Sequence, residues 1–468
     1  MFGALSSWLE PMLGPVLGRG FRHGVHPPAH KGSSAHLPIR RMPFPERVVL
    51  PLSQHAGAPA RCLVESGQRV ERGDRIGEAQ GYVSVPIHAS VTGEVEEVTM
   101  WPHPSGGHQE AVVIRTDPRS AQIPRPRLVP RWDGLTADEV RSAVQGAGVV
   151  GLGGAAFPTH VKLKAPEGAR IELLLVNGAE CEPYLTSDHR VMVEHPERVH
   201  FGIRIMMQCL DVHRTIIGVE KNKPDAVERL RATIPDDLDV TVLPLEVKYP
   251  QGAEKMLIKA ATGREVPSGK LPAHAGTVVQ NVGSIAAIAE VFETGHPLIE
   301  RIVTVSGPGV REPANLIVPV GTPARDVLAF CGGLTGDATE VLFGGPMMGA
   351  PQPDLDAPVL KGTSGIVVLT ETNLRPVHPC ISCGHCLDAC PVFLNPATLG
   401  KLAQAGRYGE MTELHLMDCM VCGSCSYVCP SGIPLSQMFA LAKGAVRREA
   451  ERAREQASDQ DGAEEVAA

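Results

Sequence analysis

The sequence predicts a chain of several domains, mixed α/β and α+β in class, on three observations. Short apolar runs broken by Gly and Pro turns, from Arg47 to Thr116, read as a small all-β unit. Apolar strands alternating with helical patterns between residues 171 and 261 read as a doubly wound sheet covered on both faces. Two copies of one cysteine pattern, each leading into a short helix, form an internal duplication near the end. With 468 residues, 43% apolar and 21% charged, the chain has material for several cores of ordinary soluble composition. A net charge of -8 without a basic stripe argues against a nucleic-acid partner.

Residues 1–23 open with Trp8, Leu9, Met12, Leu13, Val16 and Leu17 and almost no charge. They lack the basic start of a secretory signal, and Pro11 and Pro15 interrupt any helix. Two readings stand: a hydrophobic foot on a lipid surface or partner, or a loose terminal extension. No apolar run in the chain is long enough for a membrane-spanning helix. Residues 24–117 hold a leading arm and the β unit, with strands expected at Val48–Leu50, Val83–Ile87, Gly93–Val98 and Val112–Arg115. The stretch from Pro86 to Val95 resembles the tip hairpin of biotinyl and lipoyl carriers, yet Ala89-Ser90 supplies no lysine, which points to a docking or spacer element. A Pro- and Arg-rich connector follows over residues 118–135.

In the α/β unit, residues 136–297, strands are expected at Ile171–Val176, Thr215–Val219 and Val240–Leu243, with helices at Pro196–Leu210, Pro224–Ile234 and Gly252–Ala261. Residues 298–372 give a strand pair, Ile302–Ser306 and Leu316–Val320, a helix from Pro323 to Cys331 and a strand at Glu340–Phe343, the order of a β-grasp module. Residues 373–445 carry the duplicated cysteines, with helices at Pro396–Ala405 and Pro434–Ala445, and residues 446–468 read as a helix fraying into a charged tail.

The cysteines declare the chemistry. Cys380, Cys383, Cys386 and Cys390-Pro391 repeat as Cys419, Cys422, Cys425 and Cys429-Pro430, the spacing of bacterial two-cluster ferredoxins. The fourth cysteine of each run reaches the other run's cluster. One [4Fe-4S] centre is therefore assigned to Cys380, Cys383, Cys386 and Cys429, and the second to Cys419, Cys422, Cys425 and Cys390. Structural zinc prefers more widely separated pairs and gives no role to the Cys-Pro ending, and the scattered remaining cysteines do not form a disulfide scaffold.

A second site is signalled by Gly151-Leu152-Gly153-Gly154-Ala155-Ala156-Phe157-Pro158. It satisfies the dinucleotide pattern G-x-G-x-x-G/A only weakly, since no acidic strand end follows at the expected distance; a glycine loop used for packing alone is the competing reading. Lys162 follows, and the strand ending at Val176 leads into Asn177-Gly178-Ala179-Glu180-Cys181-Glu182-Pro183, an amide and two carboxylates at a strand's carboxyl edge, where open α/β sheets bind ligands.

This loop resembles the flavin loop of the NADH-oxidising flavoprotein subunit of respiratory complex I, with Ala156 replacing a glycine and Ala179 an aspartate. Tyr249-Pro250-Gln251-Gly252-Ala253-Glu254 and Gln280-Asn281-Val282 are similar to two further motifs of that subunit. The whole order, with Gly344-Gly345-Pro346-Met347-Met348-Gly349, resembles the RnfC/RsxC family of the Rnf/Rsx ion-translocating electron transport complex over roughly residues 24–445. The resemblance implies a barrel-sandwich hybrid, a complex I flavoprotein-like α/β domain, a β-grasp domain of SLBB type and a ferredoxin-like dicluster domain. It implies FMN and two [4Fe-4S] clusters, with NAD(H) as substrate. Gly151, Gly153, Gly154, Lys162, Asn177, Glu180, Tyr249, Gly252, Glu254, Asn281 and Val282 would surround FMN, while Phe157 and Glu182 would face NADH. Implied partners are an iron-sulfur subunit of ferredoxin type and integral membrane subunits, at the cytoplasmic side of the bacterial inner membrane.

Hydride transfer at a flavin needs no acid-base dyad from the protein, so none is expected. His23, His26, His30 and His36 read as loop or interface residues, Cys62, Cys181, Cys209 and Cys331 as buried thiols, and Met347-Met348 as gap fillers. A soluble corrinoid reductase and an adaptor with a vestigial flavin fold are the alternatives.

Overall fold

A computed structural model describes residues 20–124, 131–372 and 375–467, with side chains described as far as residue 453. The apolar segment expected to act as a foot and the middle of the connector lie outside the described residues.

The β unit is two small sheets. Arg47–Pro51, His108–Thr116, Gly93–Pro102 and Arg69–Val70 form one, and Arg61–Cys62, Arg75–Glu78 and Ile87–His88 the other. Period-two alternation sends Val48, Leu50, Val112 and Ile114 into a shared core with Ile76 and Ile87. The carrier-like tip is locked: Ala89 and Ser90 are fully buried, and Ser90 Oγ donates to the Val320 carbonyl of the β-grasp unit. A tip buried in this way cannot swing.

The α/β unit is a parallel four-stranded sheet in the spatial order Val240–Leu245, Thr215–Glu220, Leu173–Gly178, Thr277–Asn281. Leu174 and Val176 face a core shared with the helices Ala137–Gly146, Ser187–Glu194, Pro196–Leu210 and Val282–Thr294. Leu173 and Leu175 face the helix Glu254–Thr262 on the other side. The chain steps outward from Leu173–Gly178 for two strands and then returns to its opposite flank for Thr277–Asn281, a strand absent from the sequence expectation. Strand order therefore reverses between Leu173–Gly178 and Thr277–Asn281, and the crevice beyond their carboxyl ends is the place where such sheets take ligands.

The third unit pairs Glu300–Ser306 with Ala314–Pro319 and adds Gly365–Leu369, Glu340–Phe343 and Ala350–Pro351, with the helix Ala324–Phe330 against it. Its edge strand comes from the leading arm: Ile39–Arg41 runs parallel to Asn315–Ile317. That long-range pairing leaves no local mark in the sequence. At the other end the helix Leu435–Ala467 continues through the segment expected to fray, which is rich in the helix formers Ala, Glu and Arg.

Candidate functional site

The glycine loop is held from four directions. Its base is closed by Gly151 N donating to Phe157 O (2.8 Å) and a bridge between Val150 and Pro158. Leu152 N donates to Ser284 Oγ (2.8 Å), in the first turn of the helix Val282–Thr294, and Leu152 O accepts from buried Arg301 (2.6 Å). Ala56 N of the β unit reaches Ala156 O (3.2 Å). Within this frame Gly153, Gly154 and Ala155 stay exposed, and a Cβ built on Gly154, at φ +107°, would meet nothing within 4 Å. The loop does not join a strand to a long helix, so it is not the dinucleotide turn that its pattern formally matches; a helix of four residues, Thr159–Lys162, follows it.

Around the crevice the expected residues converge. Lys162 pairs with Glu254 and reaches the Val279 carbonyl (3.4 Å). Asn177 Nδ2 donates to Gly252 O (2.7 Å), which pins the turn after Tyr249 to the sheet edge. A Cβ on Gly153 would touch the Asn281 side chain at 3.4 Å. Asn281 caps the helix Val282–Thr294 through Gly283 N and Ser284 N, and donates to Asp188 (2.6 Å). Burial first, then Glu180, pushes the Asp188 carboxyl upward.

The two carboxylates after the central strand are already engaged. Glu180, at φ +47°, accepts from Asp188 N (2.7 Å) and His189 N (3.3 Å), capping the helix Ser187–Glu194, and lies 3.9 Å from the Lys31 ammonium. Glu182 accepts from Met347 N (3.1 Å) and stands 3.5 Å from the Tyr249 oxygen, and burial pushes its carboxyl up to about 7. It ties the α/β unit to the turn at Gly345–Met347. Met347 packs beside Tyr249 and Cys422, whereas Met348 is 58% exposed and fills no gap.

The cysteines form two rings that mix the two runs. Cys380, Cys383, Cys386 and Cys429 line one cavity; Cys390, Cys419, Cys422 and Cys425 line another. All are free thiols, and among the described residues no group of three or more His, Cys, Asp or Glu stands close enough to hold a single metal ion. The duplication is written into the backbone: Ser382 and Val421 sit at φ +57° and +55°, Gly384 and Gly423 at +84° and +82°. A left-handed β-branched residue such as Val421 is an outlier that only a demanding loop shape retains. Val421 N also points at Cys419 Sγ (3.4 Å), as an amide would toward a thiolate. Burial, then the neighbouring cysteines, push the Cys425 thiol far up, a cost that a cationic centre in the ring would offset.

The ring of Cys390, Cys419, Cys422 and Cys425 sits against the α/β unit. Tyr249 Oη donates to Cys422 O (2.7 Å), Lys255 pairs with Asp418 (2.9 Å), and Cys181, Met347 and Val428 close an apolar seam. The arm crosses the same seam: Val25 bridges Tyr249, His23 bonds Cys390 O, His26 bonds Val247 O, and His30 stacks on Tyr184. The other ring faces outward, with Cys380 and Cys383 exposed.

Family models follow the same order of units along the chain. Residues 19–119 match the RnfC barrel sandwich hybrid domain, 144–290 the Nuo51 FMN-binding domain, 302–351 the SLBB domain and 376–433 the 4Fe-4S dicluster domain. The corresponding subunit of the proton-translocating ferredoxin:NAD(+) oxidoreductase complex of Clostridium ljungdahlii is 43% identical over 403 residues, 86% of this chain and 88% of that protein. The chain belongs to the RnfC/RsxC family. Its counterpart in the Na(+)-translocating ferredoxin:NAD(+) oxidoreductase complex of Acetobacterium woodii is 44% identical over 85% of this chain and 90% of its own length. The counterpart in the ion-translocating oxidoreductase complex of Rhodobacter capsulatus is 41% identical over 92% and 84%. A chain of an NAD+-reducing [NiFe]-hydrogenase is 22% identical with a TM-score of 0.47, covering 67% of this chain and 63% of that one. This RnfC/RsxC protein thus carries an FMN domain and a domain for two [4Fe-4S] clusters, and its work is electron transfer within an oxidoreductase complex. Among the described residues no helix is long and apolar enough to cross a membrane.

Sequence reasoning missed the groups that position the site. Arg301, Ser284 and Lys31 act on backbone or on helix ends, and Lys255 acts through Asp418. Ser284 and Lys255 stood near motifs, three residues after Asn281 and one after Glu254, but neither was singled out.

Proposed function

We propose that this chain is the electron-input subunit that meets NADH, with FMN in the crevice between Leu173–Gly178 and Thr277–Asn281, and that electrons leave through two iron-sulfur centres. FMN, when bound, takes two electrons as a hydride and yields them singly, which the clusters require. The residues suit it. Exposed backbone at Gly153 and Gly154 allows close approach. Lys162, paired with Glu254 and 3.4 Å from the Val279 carbonyl, offers a cation for the phosphate. Gln251, buried next to Gly252 with neither amide atom bonded in the protein, offers donors and acceptors for a polar ring edge. Gly151, Asn177, Tyr249, Gly252, Glu254, Asn281 and Val282 complete the surround. Glu180 supports it by holding the helix Ser187–Glu194. Phe157 is assigned beside the nicotinamide, and Glu182, expected there too, serves better as the tie between units.

The observation that carries this reading is the bond from Tyr249 to Cys422, which sets one cysteine ring directly against the flavin crevice. The order that follows is crevice, then the ring of Cys390, Cys419, Cys422 and Cys425, then the exposed ring of Cys380, Cys383, Cys386 and Cys429. A ferredoxin-like iron-sulfur subunit would receive electrons at the exposed ring, with integral membrane subunits beyond it at the cytoplasmic face of the inner membrane. Anaerobic purification with flavin, iron and sulfide analysis tests the proposal: one flavin and two cubanes per chain support it, and zinc in place of iron overturns it.

A further inference from the structure

Three side chains from three parts of the chain converge on the peptide carbonyls of one cysteine ring. His23, from the arm, bonds Cys390 O at 3.1 Å through Nδ1. Tyr249, from the α/β unit, donates to Cys422 O at 2.7 Å. Lys443, from the C-terminal helix, donates to Cys419 O at 2.6 Å and to Met417 O at 3.2 Å. A carbonyl only accepts, so the histidine nitrogen is a donor in this contact.

The carbonyl of a ligating cysteine turns the negative end of a dipole on atoms one residue from the sulfur. A cubane that takes up one electron gains one negative charge, and nearby donors and positive charge stabilise that reduced form relative to the oxidised one. Lys443 brings a full charge to a half-buried position, where salt screens it less than at the surface. We propose that Lys443, assisted by Tyr249 and His23, sets the reduction potential of the centre held by Cys390, Cys419, Cys422 and Cys425, making it a readier acceptor for the electron leaving the flavin. Lys443 is a positioning residue in this account: it touches no substrate and no sulfur, and acts through the ligand's peptide group. The inference rests on the reading that a [4Fe-4S] cluster occupies this ring.

The test is a dye-mediated redox titration of the full chain, reconstituted anaerobically and followed by low-temperature electron paramagnetic resonance, with iron and sulfide analysis. Lys443→Met, Lys443→Arg and Tyr249→Phe are compared with the wild type. One of the two reduction waves should move to more negative potential in Lys443→Met and return close to its original place in Lys443→Arg. Tyr249→Phe should move the same wave in the same direction by less, and the other wave should stay. With full iron content, unmoved waves or an equal movement of both overturn the inference. Iron loss in Lys443→Met with the remaining potentials unchanged makes the lysine a structural anchor and also overturns it. A wild-type chain that does not hold two cubanes fails at the earlier reading instead.

Discussion

The Tyr249 hydroxyl donates a 2.7 Å hydrogen bond to the backbone carbonyl of Cys422. The two residues are 173 positions apart, and their bond joins the unit that would hold the flavin to the loop that would hold a cluster. Burial pushes the phenol far above its ordinary range, so it remains a donor at any working pH. Tyr249→Phe keeps the ring and removes the bond. Stability should fall by about 1–2 kcal/mol in denaturant titrations, as for a buried hydrogen bond.

Glu182 gives a pH signature. Its carboxyl rises from 4.5 to about 7 when folded, chiefly because burial disfavours the charge. Between those values the folded chain keeps a proton that the unfolded chain has lost, so stability falls as pH rises through that window and levels off above it. The full effect is on the order of 3 kcal/mol. Glu182→Gln can still accept from Met347 N but does not titrate. Thermal melts should show the variant gaining on the wild type from pH 5 to pH 8; parallel curves would place the titration elsewhere.

Lys162 is paired with Glu254 at the crevice. If it also meets the FMN phosphate, Lys162→Ala removes a charge-assisted bond of roughly 1.5–3 kcal/mol, so FMN affinity should fall about tenfold to a hundredfold. Fluorescence titration of the apo-flavin chain measures this, and iron content should not change.

Lys361 joins three units: its buried ammonium donates to Pro86 O of the β unit and Gly148 O of the α/β unit, each at 2.9 Å. Burial lowers it from 10.5 to about 7. Between these values the unfolded chain binds the extra proton, so this group's contribution to stability improves as pH rises from 7 toward 10.5. Lys361→Met leaves both carbonyls unpaired at a cost of about 1–3 kcal/mol each. The deficit of the variant should widen steadily from pH 7 toward pH 10 and be narrowest near pH 6, where the wild type carries the buried charge.

What the sequence made legible were residues whose chemistry fixes their spacing. Cys380 to Cys390 and Cys419 to Cys429 announce their rings, and the structure gathers the same two sets of four. The helix Pro196–Leu210 was equally plain from its apolar period. Thr277–Asn281 was hidden, because a short apolar run beside a helix start looks the same in either state. Ile39–Arg41 owes its strand to a partner far along the chain. Glu180 and Glu182 read as ligand groups at a strand end, but nothing local reveals that a helix end and the Met347 amide use them. Lys361 and Lys443 bind backbone carbonyls, which carry no side-chain signature.

The central claim is that electrons from NADH enter at the crevice and pass to the ring beside Tyr249. Anaerobic titration of the chain, loaded with FMN and both clusters, with NADH tests it most directly, following flavin absorbance and cluster paramagnetic signals together. The account predicts flavin bleaching accompanied by a reduced-cluster signal. Flavin that NADH leaves oxidised, or that is reduced while both clusters stay silent, would contradict it.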